Sequence, residues 1–104
     1  MLRIYSVVLD VLKGLRPVLQ QLEAKDADLA RQLRRCSASV ALNLAEGMYS
    51  RGGNRKARYH NALGSARETL ACLEVATACG YAESDAQLED QLNRIVGTLV
   101  RLVA

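Results

Sequence analysis

Apolar residues recur at alternating spacings of three and four along most of the chain, which is the periodicity of an amphipathic helix. The first run extends from about Leu2 to Glu23. Pro17 lies inside this run. Because proline removes one backbone hydrogen bond and clashes with the preceding turn, the pattern predicts a helix with a kink at that position.

Three further helices follow from the same periodicity. The predicted bounds are Ala27 to Met48, Arg55 to Cys79, and a last helix that runs to the C-terminus. Between them lie connections at residues 25–28, 50–54 and 81–83. The residues that favour helix ends are Asp26 as an N-cap, Gly80 as a C-terminal stop, and Ser84 with Gln87 as a capping box.

The connections are short, and short connections make neighbouring helices antiparallel. No stretch has the strict alternation of apolar and polar residues that is typical of a strand. The sequence therefore predicts an all-α fold, an antiparallel up-down-up-down four-helix bundle formed as one domain over residues 1–104.

The first and last predicted helices each carry a second apolar row. Ile4, Val11 and Val18 form it in the first helix, and Val96, Val100 and Val103 form it in the last. A four-helix bundle needs one stripe per helix, so we expect the extra rows to be exposed and to mark a subunit interface. The pattern thus predicts an oligomer.

Composition narrows the class of protein. Half of the 104 residues are hydrophobic, and none is Phe or Trp, so aliphatic side chains must fill the core. No apolar run of about 18 residues occurs, and the N-terminus lacks the features of a signal peptide, so we expect a cytoplasmic protein without a membrane span. The three cysteines are an odd number and are interpreted as small hydrophobic residues in a reducing compartment.

Charge is distributed unevenly along the chain, although the net charge is only +3. Residues 31–58 contain seven basic side chains and one acidic one, Glu46, whereas residues 68–104 contain six acidic and two basic side chains. This asymmetry is typical of a protein with a polyanionic partner.

A short motif identifies a family. Arg34-Arg35 precedes a run of small residues that ends in Asn43-Leu44-Ala45-Glu46-Gly47, and Gly64-Ser65 with Glu68 follows in the next helix. In this arrangement the chain resembles the four-helix-bundle proteins named for reading frames inside the intervening sequences of bacterial 23S rRNA genes. The similarity covers about residues 29–100.

The resemblance implies a ring-like homopentamer. It also implies a distant likeness to the accessory variability determinants of diversity-generating retroelements, which are basic pentamers that assist a reverse transcriptase and bind nucleic acid. The motif residues Arg35, Asn43, Glu46, Gly47, Gly64 and Glu68 are accordingly expected to have structural roles.

Helical spacing gives specific expectations for several of these residues. Asn43 falls at a predicted inward position, where its amide would fix helix register or a subunit contact. The alternative is that Asn43 lies near the surface of its helix. Glu46 lies near a helix C-terminus, where its charge opposes the helix dipole, so an ion pair with Arg55 or Arg58 is expected. Either Arg34 or Arg35 is expected to pair with Glu68.

The candidate nucleic-acid-binding residues are basic and gather around the predicted turn. Positive charge at a helix start is unfavourable, so helix stability does not explain these residues, whereas phosphate contact would. The alternative is a solvated run of charge. The set comprises Arg51, Arg55, Lys56 and Arg58, with Arg31 and Arg34 from the preceding helix.

No arrangement of residues indicates catalysis, a metal or a cofactor. His60 is the only histidine and has no partner at ligand spacing. Gly52-Gly53 lacks the spacing of a phosphate-binding loop. Two hypotheses remain: a non-enzymatic oligomer that contacts RNA, DNA or a nucleic-acid enzyme such as a reverse transcriptase, and a structural scaffold whose basic residues form intersubunit ion pairs.

Overall fold

The computed structural model describes residues 2–104, and every regular element within that range is an α-helix. Its elements are α1 (Arg3–Gly14), α2 (Arg16–Lys25), α3 (Ala27–Met48), α4 (Gly52–Ala78) and α5 (Ala86–Val103). The prediction of an all-α fold is confirmed. The predicted bounds of the second helix coincide with those of α3.

The predicted first helix is interrupted and forms α1 and α2. The break is at Leu15, whose side chain is fully buried. Pro17 lies in the first turn of α2, where its missing N–H is tolerated because that group has no intrahelical partner. The predicted kink is therefore present, and it is centred two residues before the proline.

The helices form four antiparallel rods, with α1 and α2 sharing one of them. The backbone N–H of Leu2 lies 3.5 Å from Met48 Sδ, so α1 begins where α3 ends. Lys25 Nζ donates to the Tyr81 carbonyl at 3.3 Å, so α2 ends beside the segment that follows α4. We call the end of the bundle that holds residues 49–51 the turn end, and the end that holds Asp26 and residues 79–85 the far end.

The core is aliphatic, as the absence of Phe and Trp requires. α3 and α4 make the most extensive contact of any two helices. Small residues account for this closeness, because Ala62 and Ala66 are fully buried and Ala41 is 6% exposed. The large, fully buried side chains are Leu15, Leu22, Leu33, Leu44, Leu92, Ile95 and Leu99.

Two of the three predicted helix ends are confirmed. Asp26 Oδ1 accepts from Leu29 N at 3.0 Å, and Gly80 takes a left-handed φ of +73° that closes α4. The capping box at Ser84 and Gln87 was wrong. Asp85 is the N-cap of α5, and its Oδ1 accepts from Leu88 N at 3.1 Å.

The expected exposed row on the first helix was also wrong. Ile4, Val11 and Val18 are all buried, because together with Val8, Leu15 and Leu22 they form the stripe that faces the core, at alternating spacings of four and three. On α5, Val100 is 41% exposed. The most exposed large hydrophobic side chains are instead on α3 and directly after it: Leu42 at 65% and Tyr49 at 88%.

The three cysteines have different environments. Cys36 and Cys72 are buried where α3 meets α4, whereas Cys79 is exposed at the far end. Burial, and next the neighbouring Cys36 thiol, raise the pKa of Cys72 to about 12. The interpretation of the cysteines as buried hydrophobes is thus correct for Cys36 and Cys72 and wrong for Cys79.

Candidate nucleic-acid interface

The connection between α3 and α4, which carries the basic residues, is shorter than the sequence predicts. Only residues 49–51 connect α3 to α4, since α4 begins at Gly52, three residues before the predicted start. Gly52 has a φ of +58°, a conformation that other residues adopt at a cost. The early start of α4 places Arg55 and Lys56 in its first turns, close to the end of α3.

Arg55 is held against the C-terminus of α3. Its Nε donates to the Gly47 carbonyl at 3.1 Å and to the Ser50 carbonyl at 2.9 Å. Carbonyls at a helix C-terminus lack intrahelical donors and carry partial negative charge. Arg55 therefore stabilises the turn, and this contact explains why a cation occurs near the start of α4.

Arg58 pairs with Glu46, as one of the two expected partners. Arg58 Nε lies 2.9 Å from Glu46 Oε2, and both side chains are about half exposed. An ion pair at this exposure contributes about 0–1 kcal/mol. Its main effect is to fix α4 beside the end of α3.

Arg51 and Lys56 are exposed and make no ion pair or side-chain hydrogen bond within residues 2–104. The basic cluster therefore divides in two. Arg55 and Arg58 contact α3, while Arg51 and Lys56 extend into solvent. Tyr49 lies in the same turn, with 88% of its surface exposed.

The basic residues of α3 are placed differently. Arg31 pairs with Asp28 at 2.8 Å, and Arg34 pairs with Glu23 of α2 at 3.3 Å. The expectation that Arg34 or Arg35 pairs with Glu68 was wrong. Glu68 instead accepts from Gln32 Nε2 at 3.4 Å, because Gln32 lies on the side of α3 that faces α4.

Arg31 and Arg34 are also remote from the turn. They lie in the half of α3 nearer the far end, whereas Arg51 follows the end of that helix. The structure thus separates these two residues from the Arg51–Arg58 cluster, with which the sequence had grouped them.

Asn43 belongs to a chain of polar side chains between α3 and α4. Asn43 Nδ2 donates to the Ser39 carbonyl and to Ser39 Oγ, each at 3.0 Å. Ser65 Oγ donates to Ser39 Oγ at 2.8 Å. The Asn43 side chain is half-buried, so the prediction of an inward position is confirmed in part. The hydrogen bond that joins α3 to α4 is the one between Ser39 and Ser65.

These polar residues form the floor of an open groove of about 910 Å³ along α3 and α4. Leu42 and Arg35 lie on its α3 rim, and Glu68 lies on its α4 rim. No pattern in the sequence predicts the groove, because it exists only where the surfaces of two helices diverge. The seven-residue spacing of Arg35 and Leu42 could have shown that they share one face of α3.

Gly47 has a steric role. A Cβ on Gly47 would overlap Tyr59 Cε1, so the tyrosine ring packs directly on the backbone of α3. Tyr59 is 5% exposed and lies in the core. By contrast, a Cβ on Gly64 would meet nothing within 4 Å.

No group of three His, Cys, Asp or Glu side chains is placed to hold a metal ion among residues 2–104. Nor is any helix in this range long and apolar enough to cross a membrane.

Fold and surface together define a small all-α bundle with a basic turn. The chain belongs to the 23S rRNA-intervening sequence protein family, whose pattern matches residues 2–101. It is similar to a crystal structure of a protein of unknown function from the S23 ribosomal protein family of Bacteroides thetaiotaomicron VPI-5482. The TM-score is 0.83 at 18% identity, over 96% of this chain and 97% of that one. No curated protein matches this chain.

Proposed function

We propose that this protein is a non-enzymatic, cytoplasmic homo-oligomer, a pentamer, whose turn end contacts RNA, DNA or a nucleic-acid enzyme such as a reverse transcriptase. The observation that carries the proposal is the pair Arg51 and Lys56. Both are exposed and lack an anionic partner within residues 2–104. Their position at a helix start is electrostatically unfavourable, and a phosphate would relieve that cost.

Charge elsewhere on the rod supports contact through one end. The far end is strongly acidic, since Asp26, Asp28, Glu83, Asp85, Glu89 and Asp90 lie on or near it. A polyanion is repelled there and attracted to the turn end. In a closed ring every subunit has the same orientation relative to the axis, so the turn clusters repeat with one orientation and strengthen a weak contact.

The test is a binding titration with matched charge. Arg51→Ala with Lys56→Ala removes two cations from the turn end, and Lys13→Ala with Arg16→Ala removes two exposed cations from the middle of the rod. Fluorescence anisotropy with duplex DNA and structured RNA is recorded at about 50 and about 200 mM salt.

We expect only the turn variant to weaken binding and to flatten the salt dependence, because each lost phosphate contact releases about one counterion fewer. The loss should be similar for all nucleotide sequences, since phosphate contacts carry no base information. Equal losses in the two variants would contradict a site at the turn end.

The second candidate is a structural scaffold, and Arg55 and Arg58 favour it. Both cations contact α3, so half of the cluster already has a role in the fold. If the wild-type protein binds no nucleic acid at about 50 mM salt, the scaffold is the better description.

A further inference from the structure

We propose that the turn end binds an unpaired base of a single-stranded nucleic acid, and that this base stacks on Tyr49 in a pocket between the end of α3 and the start of α4. The inference rests on the proposed function, which places nucleic acid at the turn end, and it specifies the kind of strand that binds there. Phosphates occur on single strands and duplexes alike, so charge alone does not choose between them, whereas only an unpaired base presents a free ring face.

Tyr49 is the aromatic side chain that the fold leaves in solvent. It is 88% exposed, the highest value among the large hydrophobic side chains of residues 2–104, whereas Tyr59 is 5% exposed in the core. Tyr49 directly follows the last residue of α3, beyond the packed part of the bundle. An aromatic ring with accessible faces is what base stacking requires, and its gain is similar for every base because each base has a π-face.

The Tyr49 ring borders a pocket of about 430 Å³, which lies between the last turn of α3 and the first turns of α4. This volume is within the range of small-ligand sites, about 300–1,000 Å³. Ala45 lies one helical turn before Tyr49, and its methyl group leaves space that a larger side chain would fill. The pocket is lined by Ala45, Glu46, Tyr49, Ser50, Asn54 and Arg58.

Polar groups in this lining suit the edge of a base. The Asn54 amide offers both donors and an acceptor, and it is exposed without a hydrogen-bond partner within residues 2–104. Arg58 Nε is held by Glu46 Oε2 at 2.9 Å, which fixes the guanidinium at the wall of the pocket. A side chain that is already held in place loses less conformational freedom when a ligand binds.

The charges around the ring favour a nucleic acid over a protein as the occupant. Arg51 follows Tyr49 by two residues and is exposed, and Arg58 lines the pocket. The centres of protein–protein interfaces are depleted of charged residues, whereas aromatic rings beside cations are typical of sites for single strands. A duplex keeps its bases stacked on one another, so it cannot place an internal base on Tyr49.

The experiment compares an unstructured single-stranded RNA with the duplex of the same sequence, by fluorescence anisotropy at about 50 mM salt. Wild type should bind the single strand more tightly. Tyr49→Ala should weaken single-strand binding about 5- to 100-fold, the usual effect of removing one stacking ring, and should leave duplex binding as it was. Ala45→Leu should weaken single-strand binding without any change of charge, because it fills the pocket.

Two further variants of Tyr49 separate stacking from hydrophobic contact. Tyr49→Phe keeps the ring and should bind the single strand as wild type does, whereas Tyr49→Leu keeps only an apolar side chain and should bind as weakly as Tyr49→Ala. Circular dichroism checks that every variant stays helical. Light scattering checks that every variant keeps the wild-type mass.

Tyrosine fluorescence gives an independent readout, since the chain contains four tyrosines and no tryptophan. A base stacked on Tyr49 quenches its emission. The single strand should therefore quench wild type, and this part of the quenching should be missing in Tyr49→Phe although that variant still binds.

A free nucleotide carries the same base, so AMP is added as a competitor. At a concentration equal to that of the single strand it should not displace the strand, because one nucleotide lacks the adjoining phosphates. Arg51→Ala with Lys56→Ala, the charge variant of the proposed function, should weaken single strand and duplex alike.

The inference is overturned if the duplex binds as tightly as the single strand, if Tyr49→Ala binds the strand like wild type, or if AMP displaces the strand at equal concentration. A smaller mass for Tyr49→Ala would also overturn it, because the ring would then belong to a subunit contact. Duplex binding that depends on Arg51 and Lys56 but not on Tyr49 would contradict this inference alone. A wild type that binds neither strand nor duplex would contradict the proposed function as well.

Discussion

At the residue scale, the motif that identifies the family performs local structural tasks. Glu46 fixes Arg58, Gly47 leaves room for the ring of Tyr59, and the Gly47 carbonyl accepts from Arg55. Asn43 orders Ser39, which bonds to Ser65 on α4. The motif thus holds the end of α3 against α4 and shapes the turn that presents Arg51 and Lys56.

Replacing Gly47 by alanine should destabilise the protein by about 1–3 kcal/mol, because its Cβ would overlap the ring of Tyr59. Urea denaturation followed by circular dichroism measures the change. Gly53→Ala is the matched control: its Cβ would meet nothing within 4 Å, and it should be neutral or slightly stabilising. An unchanged midpoint for Gly47→Ala would mean that Tyr59 does not pack on that backbone.

At the element scale, the ends of the helices are set by specific side chains. α3 and α5 both begin with an aspartate whose carboxylate accepts from a backbone N–H. α4 ends in a left-handed glycine. The sequence predicts that α5 starts at Ser84, whereas the backbone geometry places Asp85 at the N-cap.

Asp85→Ala should therefore cost about 1 kcal/mol of stability, while Ser84→Ala should cost almost nothing. Thermal denaturation of the two variants beside wild type measures both effects. If Ser84→Ala were the more harmful change, the capping box expected from the sequence would be the correct start of α5 after all.

At the scale of the whole molecule, the rod is about 42 Å long and has ends of opposite charge. Because the turn end is basic and the far end is acidic, a polyanion would orient the rod with its turn end toward it. A ring of such rods in one orientation would likewise have one basic side and one acidic side. Nucleic acid should consequently lie near residues 49–58 and away from residues 79–90.

A tethered cleavage reagent tests this orientation. Cys79 is exposed at the far end, whereas Cys36 and Cys72 are buried and the raised pKa of Cys72 further suppresses its reactive thiolate. Iron-EDTA attached to Cys79 should leave bound RNA uncut. The same reagent on Asn54→Cys in a Cys79→Ser background should cleave it.

Equal cleavage from both positions would contradict binding through the turn end. Cleavage from Cys79 alone would place the nucleic acid at the far end, which is the reverse of the proposed orientation. As long as the protein is folded, the reagent should label only the exposed cysteine, which is Cys79 in the wild type and the cysteine introduced by Asn54→Cys in the variant.

The sequence by itself determined the helical class, the antiparallel arrangement, the bounds of α3, the kink near Pro17 and an ion pair of Glu46 with either Arg55 or Arg58. Each of these depends on residues close in sequence or on helical periodicity, so local spacing carries the information. Short connections then leave little choice of topology.

Only the tertiary structure decided the rest. It buried Ile4, Val11 and Val18 and exposed Leu42. It also chose Arg58 as the partner of Glu46 and placed Arg55 on the carbonyls at the end of α3, while Arg51 and Lys56 stayed in solvent. These outcomes depend on how rods rotate about their axes and on where two surfaces diverge to leave a groove. Many residues far apart in sequence set that rotation together, so no local pattern of hydrophobic and polar positions specifies it.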